Sequence, residues 1–137
     1  MQKEKVIVKV ELTDNNYASY IEILPGCVAT GKTFDEMKKN MQDAVIFHLE
    51  GSREDGDEIN PAFDNDNYEL VFKFNTQSLL QHYKGIFTNT ALRRLTGINE
   101  RQLQRYASGE SEPRPEQSQK IADALHKLGN ELLVVEL

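Results

Sequence analysis

The chain has 137 residues, of which 39% are hydrophobic and 28% charged, and its formal net charge is −6. This length accommodates one or two small domains, and the acidic total excludes a uniformly basic nucleic-acid coat. No apolar run approaches the ~20 residues of a membrane span, the first residues lack a signal-peptide pattern, and the single Cys27 excludes a disulfide framework, so we expect a cytoplasmic protein.

The charge is divided unevenly along the chain. Residues 1–75 carry 8 Lys+Arg and 15 Asp+Glu, a net charge of −7, whereas residues 76–137 carry 8 and 7, a net charge of +1. Four arginines and one acid lie between Arg93 and Arg105. Such an asymmetry favours two domains with two tasks, one of them involving nucleic acid, although chance variation of surface charge is the simpler alternative.

Three strands are predicted in the first 31 residues. Apolar and polar residues alternate over 6–12, which is typical of a strand with one buried face. The Asx residues 14–16 predict a turn, so the aromatic and β-branched segment 17–24 is expected to pair with the first strand as a hairpin. A turn at Pro25 and Gly26 precedes a short third strand over 27–30.

One helix and a fourth strand are predicted next. Thr33 and Glu36 form the T-x-x-E pattern of a helix N-terminus, and Gly51 is a plausible end. The inward stripe consists of Phe34, Met37, Met41, Ala44, Val45 and His48. Residues 52–67 are acidic and aperiodic and predict a solvated connector, after which alternation from Tyr68 predicts a strand. The order β-β-β-α-β indicates an α+β domain with one helix on a small sheet.

Candidate catalytic groups in this half are few. Cys27 could act as a nucleophile only with a nearby base, and His48 lies on the inward helical stripe, so packing roles are the simpler interpretation. The carboxylates Asp35, Glu36 and Asp43 share a helix, but the first two diverge by ~100° and do not form a metal-holding cluster. The acidic connector does not match the calcium-loop spacing. We therefore expect no catalytic residue, no metal and no cofactor.

The segment YASYIEILPGCVATGKTFDEM, which starts at Tyr17, resembles the N-terminal domain of HicB-type antitoxins. The resemblance is carried by Tyr17, Tyr20, the Leu24-Pro25-Gly26-Cys27 turn, Gly31, Thr33, Asp35 and Glu36, and it extends over about the first 75 residues. It implies a partial ribonuclease-H-like sheet without catalytic carboxylates, which binds and covers a HicA toxin, a small mRNA endonuclease. The toxin-binding residues it implies are Tyr17, Tyr20, Pro25, Gly26 and Cys27.

Residues 76–137 predict an all-α domain. Helices are expected to begin at Thr76, at Thr88 or Asn89, at Asn99 and after the Pro113-Arg114-Pro115 joint, and to end near Gly85, Gly97, Gly109 and Gly129. Two short helices around the Gly97 turn, the second basic on its outer side, are typical of a helix-turn-helix. The segment LRRLTGINERQLQRYASG, followed by EPRPEQSQKIADAL, resembles the Xre/Cro-type family, except that Arg93 stands where that family usually has a small residue.

Such a module predicts a DNA interface centred on the helix over 99–107. Arginine commonly reads guanine and glutamine reads adenine in the major groove, while helix ends and flanking arginines meet phosphates. The candidate DNA-binding residues are Asn89, Arg93, Arg94, Asn99, Glu100, Arg101, Gln104, Arg105, Ser108 and Arg114. Solvation of a helical face is the simpler interpretation of these arginines.

The tail ELLVVEL, residues 131–137, predicts a short C-terminal strand. It is too apolar for a free edge, so we expect it to pair with the same strand of a second chain and to give a homodimer or higher homo-oligomer.

The leading hypothesis is an antitoxin with a toxin-binding domain over 1–75 and an Xre-like DNA-binding and dimerisation domain over 76–137. It would neutralise a HicA-like toxin by direct binding and autoregulate its operon by binding operator DNA. The alternative is a stand-alone Xre-like transcription regulator with a ligand-sensing or assembly N-terminal domain. An enzyme, such as a remnant nuclease, is disfavoured by the lack of clustered carboxylates.

Overall fold

A computed structural model describes residues 3–137 of the chain. These residues form two compact units, divided between Asn75 and Thr76. Each unit has a hydrophobic core of its own, and the two cores share no residue. The first unit is a mixed α+β structure and the second contains only helices.

A four-stranded sheet with one long helix forms the first unit. Its elements are β1 (Glu4–Leu12), β2 (Tyr17–Tyr20), β3 (Val28–Gly31), α1 (Phe34–Asp55), a 3-10 turn (Pro61–Phe63) and β4 (Tyr68–Phe74). The strand order is β3-β2-β1-β4, with β1 antiparallel to β2 and parallel to β4. Alternate residues of β1 are buried beneath α1, which contributes Met37, Met41, Val45 and Leu49 to the same core. One face of the sheet is therefore covered by the helix.

Helix α1 begins as predicted and ends later. The Thr33 hydroxyl accepts the N–H of Glu36 at 3.0 Å, which confirms the predicted cap. The predicted stop at Gly51 is wrong, because the helix continues to Asp55 and ends at Gly56 with φ of +72°. A glycine inside a helix costs only about 1 kcal/mol, which packing of the buried stripe offsets. The predicted connector is correspondingly shorter, and its Phe63 is fully buried.

The second strand is also shorter than predicted. It ends at Tyr20, and two successive turns follow, in which Leu24 N–H donates to Ile21 and Cys27 N–H donates to Leu24. The side chains of Ile21, Leu24 and Cys27 are all buried. Burying residues spaced by three is incompatible with the two-residue alternation of a strand, so the chain turns instead.

Four helices form the second unit: α2 (Thr76–His82), α3 (Asn89–Thr96), α4 (Glu100–Ser108) and α5 (Pro115–Leu133). Thr88 caps α3 and Asn99 caps α4, and both helices end in glycines with left-handed φ. The core is formed by Leu80, Leu92, Ile98, Leu103, Tyr106 and Ile121. Helix α4 packs against α2 and α3, and α5 packs against α3.

The predicted C-terminal strand is absent from the single chain. Helix α5 runs through Gly129 to Leu133, and a turn at Val134 follows. A strand needs a neighbour to satisfy its backbone groups, whereas a helix satisfies them within itself, and no neighbouring strand stands beside residues 131–137 in the described chain. Leu132, Leu133, Val134, Val135 and Leu137 are all exposed.

Candidate functional site

An exposed apolar patch lies at the connection between β2 and β3. Tyr20 and Val28 are directly opposite in the antiparallel pairing and both point away from α1, with exposed fractions of 39% and 64%. Ile23 is also exposed, and the Pro25-Gly26 turn next to it is open to solvent. We call Tyr20, Ile23, Pro25, Gly26 and Val28 the hairpin patch. Scattered exposed apolar residues are ordinary, but a contiguous group is typical of a partner contact.

Two of the residues expected at this site are not exposed in the way its other members are. Cys27 is buried and its sulfur lies 3.8 Å from the sulfur of Met41. Burial raises the pKa of the Cys27 thiol, so the group is held neutral and is not an activated nucleophile. Tyr17 is half-buried, with its ring 6.3 Å from that of Phe34. Cys27 thus lies beneath the patch, whereas Tyr17 lies at the other end of β2, opposite Gly31.

The carboxylates of α1 do not converge on one point. Asp35 pairs with Lys38 at 3.5 Å on the helix surface, and Asp43 lies two turns further along. Among residues 3–137 no group of three or more His, Cys, Asp and Glu is placed to hold a metal ion.

A wide cleft of about 750 Å³ opens in the first unit between α1 and β4. Its apolar floor includes Val45, Leu49 and Leu70, and its rim carries charges of both signs. Neither Tyr17 nor Tyr20 lines it. A small-ligand pocket lined by those tyrosines would favour the ligand-sensing alternative. This cleft is not such a pocket.

A tight turn joins α3 to α4 in the second unit. The turn residue Gly97 has φ of +78°, a conformation that glycine adopts without strain. Thr96 fixes the turn from inside, because its hydroxyl donates to the Leu92 carbonyl at 2.7 Å and accepts the Ile98 N–H at 3.1 Å. The side chain of Asn99 accepts the Gln102 N–H at 2.8 Å. The relative placement of the two helices is thus held by buried hydrogen bonds as well as by the apolar core.

Polar contacts link the outer faces of α3 and α4. Arg93 Nε lies 3.4 Å from a Glu100 carboxylate oxygen, and the Thr90 hydroxyl donates to the other oxygen at 2.7 Å. Asn89 Nδ2 donates to the Gln104 side chain at 3.1 Å. Arg93, which breaks the small-residue pattern of the Xre/Cro family, therefore serves to bridge the helix pair.

The remaining candidate arginines differ in whether they form an ion pair within the chain. Arg105 is loosely paired with Glu110 at 3.8 Å, and the Ser108 hydroxyl donates to the Arg105 carbonyl at 3.2 Å. Arg94, Arg101 and Arg114 are exposed, and within the described part of the chain none of them forms an ion pair. Unpaired arginines on an exposed helical surface are available to an anionic partner.

Comparison with known proteins decides the family. A family profile described as "HicB_like antitoxin of bacterial toxin-antitoxin system" matches residues 6–77, which is more than half of the chain. The chain belongs to the HicB-like antitoxin family. The members of this HicB-like family are described as antitoxins of bacterial toxin-antitoxin systems.

Two curated relatives share parts of this HicB-like chain. An uncharacterised 14.9 kDa protein in the rep-hol intergenic region of Haemophilus phage HP1 is 34% identical over 50 residues, 36% of this chain and 38% of the relative. A UPF0150 protein of Helicobacter pylori is 32% identical over 40 residues, 29% of this chain and 56% of the relative. The similarity thus spans well under two thirds of either relative.

Some exposed residues of the HicB-like chain were not singled out from its sequence. Ile23 is predicted inside a strand, and the early end of β2 brings it into the hairpin patch. Val28 does lie in a strand, and its 64% exposure on the uncovered face places it in the patch. A Cβ built on Gly97 would lie 3.8 Å from Lys120 Nζ, so this lysine also stands at the helix-pair turn. No local sequence signal marks Lys120, since it comes from another helix. Within residues 3–137, none of the helices is long and apolar enough to span a membrane.

Proposed function

We propose that this chain is the antitoxin of a HicA/HicB-like pair, which neutralises an mRNA endonuclease toxin by direct binding and represses its own operon by binding promoter DNA. The family match over residues 6–77 carries the antitoxin part of this proposal, and the α3–α4 turn supports the DNA-binding part. The mechanism is occupancy of a partner and of DNA, and it needs no cofactor. The protein acts in the cytoplasm, where both the toxin and its mRNA substrates are found.

The hairpin patch is the proposed toxin contact. Tyr20, Pro25 and Gly26 face solvent, with Val28 beside them, while Cys27 lies beneath the turn and Tyr17 lies at the far end of β2. The first unit is also strongly acidic, which suits a basic RNA-cutting partner because complementary potentials speed encounter.

A matched pair of aromatic substitutions tests this contact. We expect Tyr20→Ala to weaken binding of the toxin encoded beside the gene by roughly tenfold or more, as for a central aromatic anchor. Phe47→Ala is the control, because Phe47 is 80% exposed on α1 and is not a member of the patch. Affinity is measured by calorimetry on the full chain. Equal losses for the two variants, or none for Tyr20→Ala, would contradict the assignment.

The α3–α4 pair is the proposed DNA-binding helix-turn-helix. In this proposal Arg101, Gln104 and Arg105 meet base edges, and Glu100 and Asn99 stand at the entry of the recognition helix. Arg94, Arg114, Asn89 and Ser108 contact phosphates, and Arg93 orients the helices through Glu100. The unpaired state of Arg94, Arg101 and Arg114 supports this, since a charge already satisfied within the chain contributes less to DNA.

A double arginine variant tests the DNA interface. We expect Arg101→Ala with Arg105→Ala to lower affinity for DNA from upstream of the gene by roughly tenfold or more per arginine. Lys84→Ala with Lys127→Ala removes the same charge from the second unit outside the helix pair and is the control. Gel shift and calorimetry at one salt concentration give both affinities. If the control loses as much as the arginine variant, binding is general charge attraction rather than the proposed readout.

The exposed tail is the proposed dimer contact. Five apolar residues over 132–137 face solvent in the single chain. Their pairing with the tail of a second copy would bury them and place two DNA-binding modules about a two-fold axis, as a palindromic operator requires. Val135→Asp should then lower the mass of the assembly measured by light scattering, and an unchanged mass would contradict the tail contact.

A further inference from the structure

The strand β4 is an open edge of the sheet. It has β1 on one side, and within residues 3–137 no strand lies on the other. It pairs with β1 without interruption over all seven residues and contains no proline. The opposite edge, β3, has four residues, and its Thr30 carbonyl already accepts Asn40 Nδ2 at 2.8 Å. A long, regular edge strand is a template for pairing with another strand.

The direction of the β4 backbone groups follows from its pairing with β1. The N–H of Glu4 donates to the Asn67 carbonyl at 3.0 Å. Because backbone groups alternate along a strand, those of Glu69, Val71 and Lys73 also face β1. The N–H and C=O groups of Leu70 and Phe72 therefore face the open side.

The side chains of β4 alternate in a self-complementary way. Glu69, Val71 and Lys73 lie on the sheet face away from α1 and are exposed, Val71 at 38%. Within the described chain neither Glu69 nor Lys73 forms an ion pair. Leu70 and Phe72 are half-buried on the covered face. When a second copy of the strand runs in the opposite direction, its Lys73 faces Glu69 of the first copy and its Val71 faces Val71.

We infer that β4 pairs antiparallel with β4 of a second copy, about a two-fold axis at Val71. In this register Glu69 of each copy lies opposite Lys73 of the other, and the two Val71 side chains meet at the axis. The outward groups of Leu70 then exchange hydrogen bonds with those of Phe72 of the second copy. The two sheets join into one, with both α1 helices on the same face.

Charge pairing favours this register over registers that are shifted along the strand. A shift of two residues keeps the backbone bonds but places Glu69 or Lys73 opposite Val71, which leaves both charges unpaired. In the symmetric register the charged residues form non-hydrogen-bonded pairs, in which side chains approach most closely. A lysine on an edge strand ordinarily discourages pairing with other chains. Here Glu69 of the second copy neutralises Lys73, so the same residue selects one partner, another copy of this chain.

A cysteine introduced at the axis tests the contact. Val71→Cys in the full chain would place two thiols opposite each other, within the Cα separation that a disulfide needs. Ile7→Cys is the matched control, because Ile7 lies beside Val71 on the same face but on the inner strand β1. Ile7 is 48% exposed, more than Val71, and the natural Cys27 is buried in both variants.

We expect Val71→Cys to form covalent dimers on mild oxidation roughly tenfold faster or more than Ile7→Cys, because the contact raises the effective thiol concentration. Equal rates in the two variants would overturn the inference, since exposure alone would then explain the cross-link. The tail contact does not confuse this test, because it acts equally on both variants.

Charge reversal gives an independent test in the same full chain. Lys73→Glu places like charges at both pairs and should weaken self-association roughly tenfold, measured by sedimentation equilibrium. In the monomer the introduced carboxylate is placed beside Lys9 of β1, a residue of opposite charge. Glu69→Lys combined with Lys73→Glu restores opposite charges and should restore association. An unchanged dissociation constant for Lys73→Glu, or no rescue in the double variant, would overturn the inference.

Discussion

At the residue scale, Gly31 has the strictest local requirement. A Cβ built there would lie 2.5 Å from the backbone N of Met37 and 2.8 Å from its Cα, so β3 and the first turn of α1 touch through this glycine. A side chain at residue 31 could be accommodated only if α1 moved away from β3. The sequence marked Gly31 as the end of a strand, but the contact that makes it necessary depends on tertiary packing.

Opposite effects are therefore expected at two glycines. Gly31→Ala should lower the free energy of unfolding by about 1–3 kcal/mol, because it overpacks two backbones. Gly51→Ala should raise it by about 0.5–1 kcal/mol, because Gly51 lies inside α1 and a Cβ there meets nothing within 4 Å. Urea unfolding of the two variants measures both changes. Stabilisation by Gly31→Ala would show that α1 does not rest on β3 as described.

The Cys27 thiol predicts a pH dependence of stability. Burial raises its pKa, so the folded chain keeps a proton that the unfolded chain loses above its ordinary pKa of about 8.5. This stabilisation is complete below that pKa and is lost as pH rises towards the folded value. The free energy of unfolding should thus fall above about pH 8.5, and less steeply in Cys27→Ala. Urea midpoints over a pH series measure this, and parallel curves would assign the titration to other groups.

At the element scale, helix starts were predictable from the sequence and some helix ends were not. Thr33, Thr88 and Asn99 each cap a helix through a bond to a backbone N–H three residues on, a rule that acts within one turn. Gly51 and Gly129 resemble helix ends but lie inside helices. Beyond Gly51 the Arg53 side chain donates to the Phe63 carbonyl at 3.2 Å, and beyond Gly129 the tail has no strand partner. Local signals decide starts, whereas long-range packing decides where a helix stops.

The Asn99 cap allows an element-scale prediction. Asn99→Ala should lower the stability of the second unit by about 1 kcal/mol, because the N–H of Gln102 loses its acceptor. Asn99→Asp keeps an acceptor and places a negative charge at the N-terminus of α4, so it should be neutral or stabilising. Hydrogen exchange of the amides in α4 measures the difference. Equal protection in wild type and Asn99→Ala would mean that the cap contributes nothing to α4.

At the scale of the whole molecule, the acidic average concealed two different surfaces. The first unit holds most of the excess acid and the second is nearly neutral with its arginines on α3 and α4, a distribution visible in the sequence alone. Tyr20, Pro25 and Gly26 of the hairpin patch are expected from the family resemblance, but Ile23, Val28 and the open β4 edge are not, because they depend on how the sheet is formed. Charge is additive along a chain, whereas an interface depends on which strands become neighbours.

The two separate cores predict separate unfolding of the two units. Leu103 is fully buried among Leu92, Ile98, Tyr106 and Ile121, and Leu103→Ala should cost the second unit about 2–5 kcal/mol. Hydrogen exchange read by mass spectrometry should then rise across 76–137 and stay unchanged across 3–75.

A variant in the core of the first unit gives the complementary test. Phe63 is fully buried in the first core, and Phe63→Ala should raise exchange across 3–75 by the same mechanism while leaving α2 to α5 protected. Together the two variants separate the units, because each removes atoms from one core only. Exchange that rises equally in both units for either variant would show one cooperative structure. In that case toxin binding by the first unit would stabilise the second, and the two binding activities would be coupled through folding.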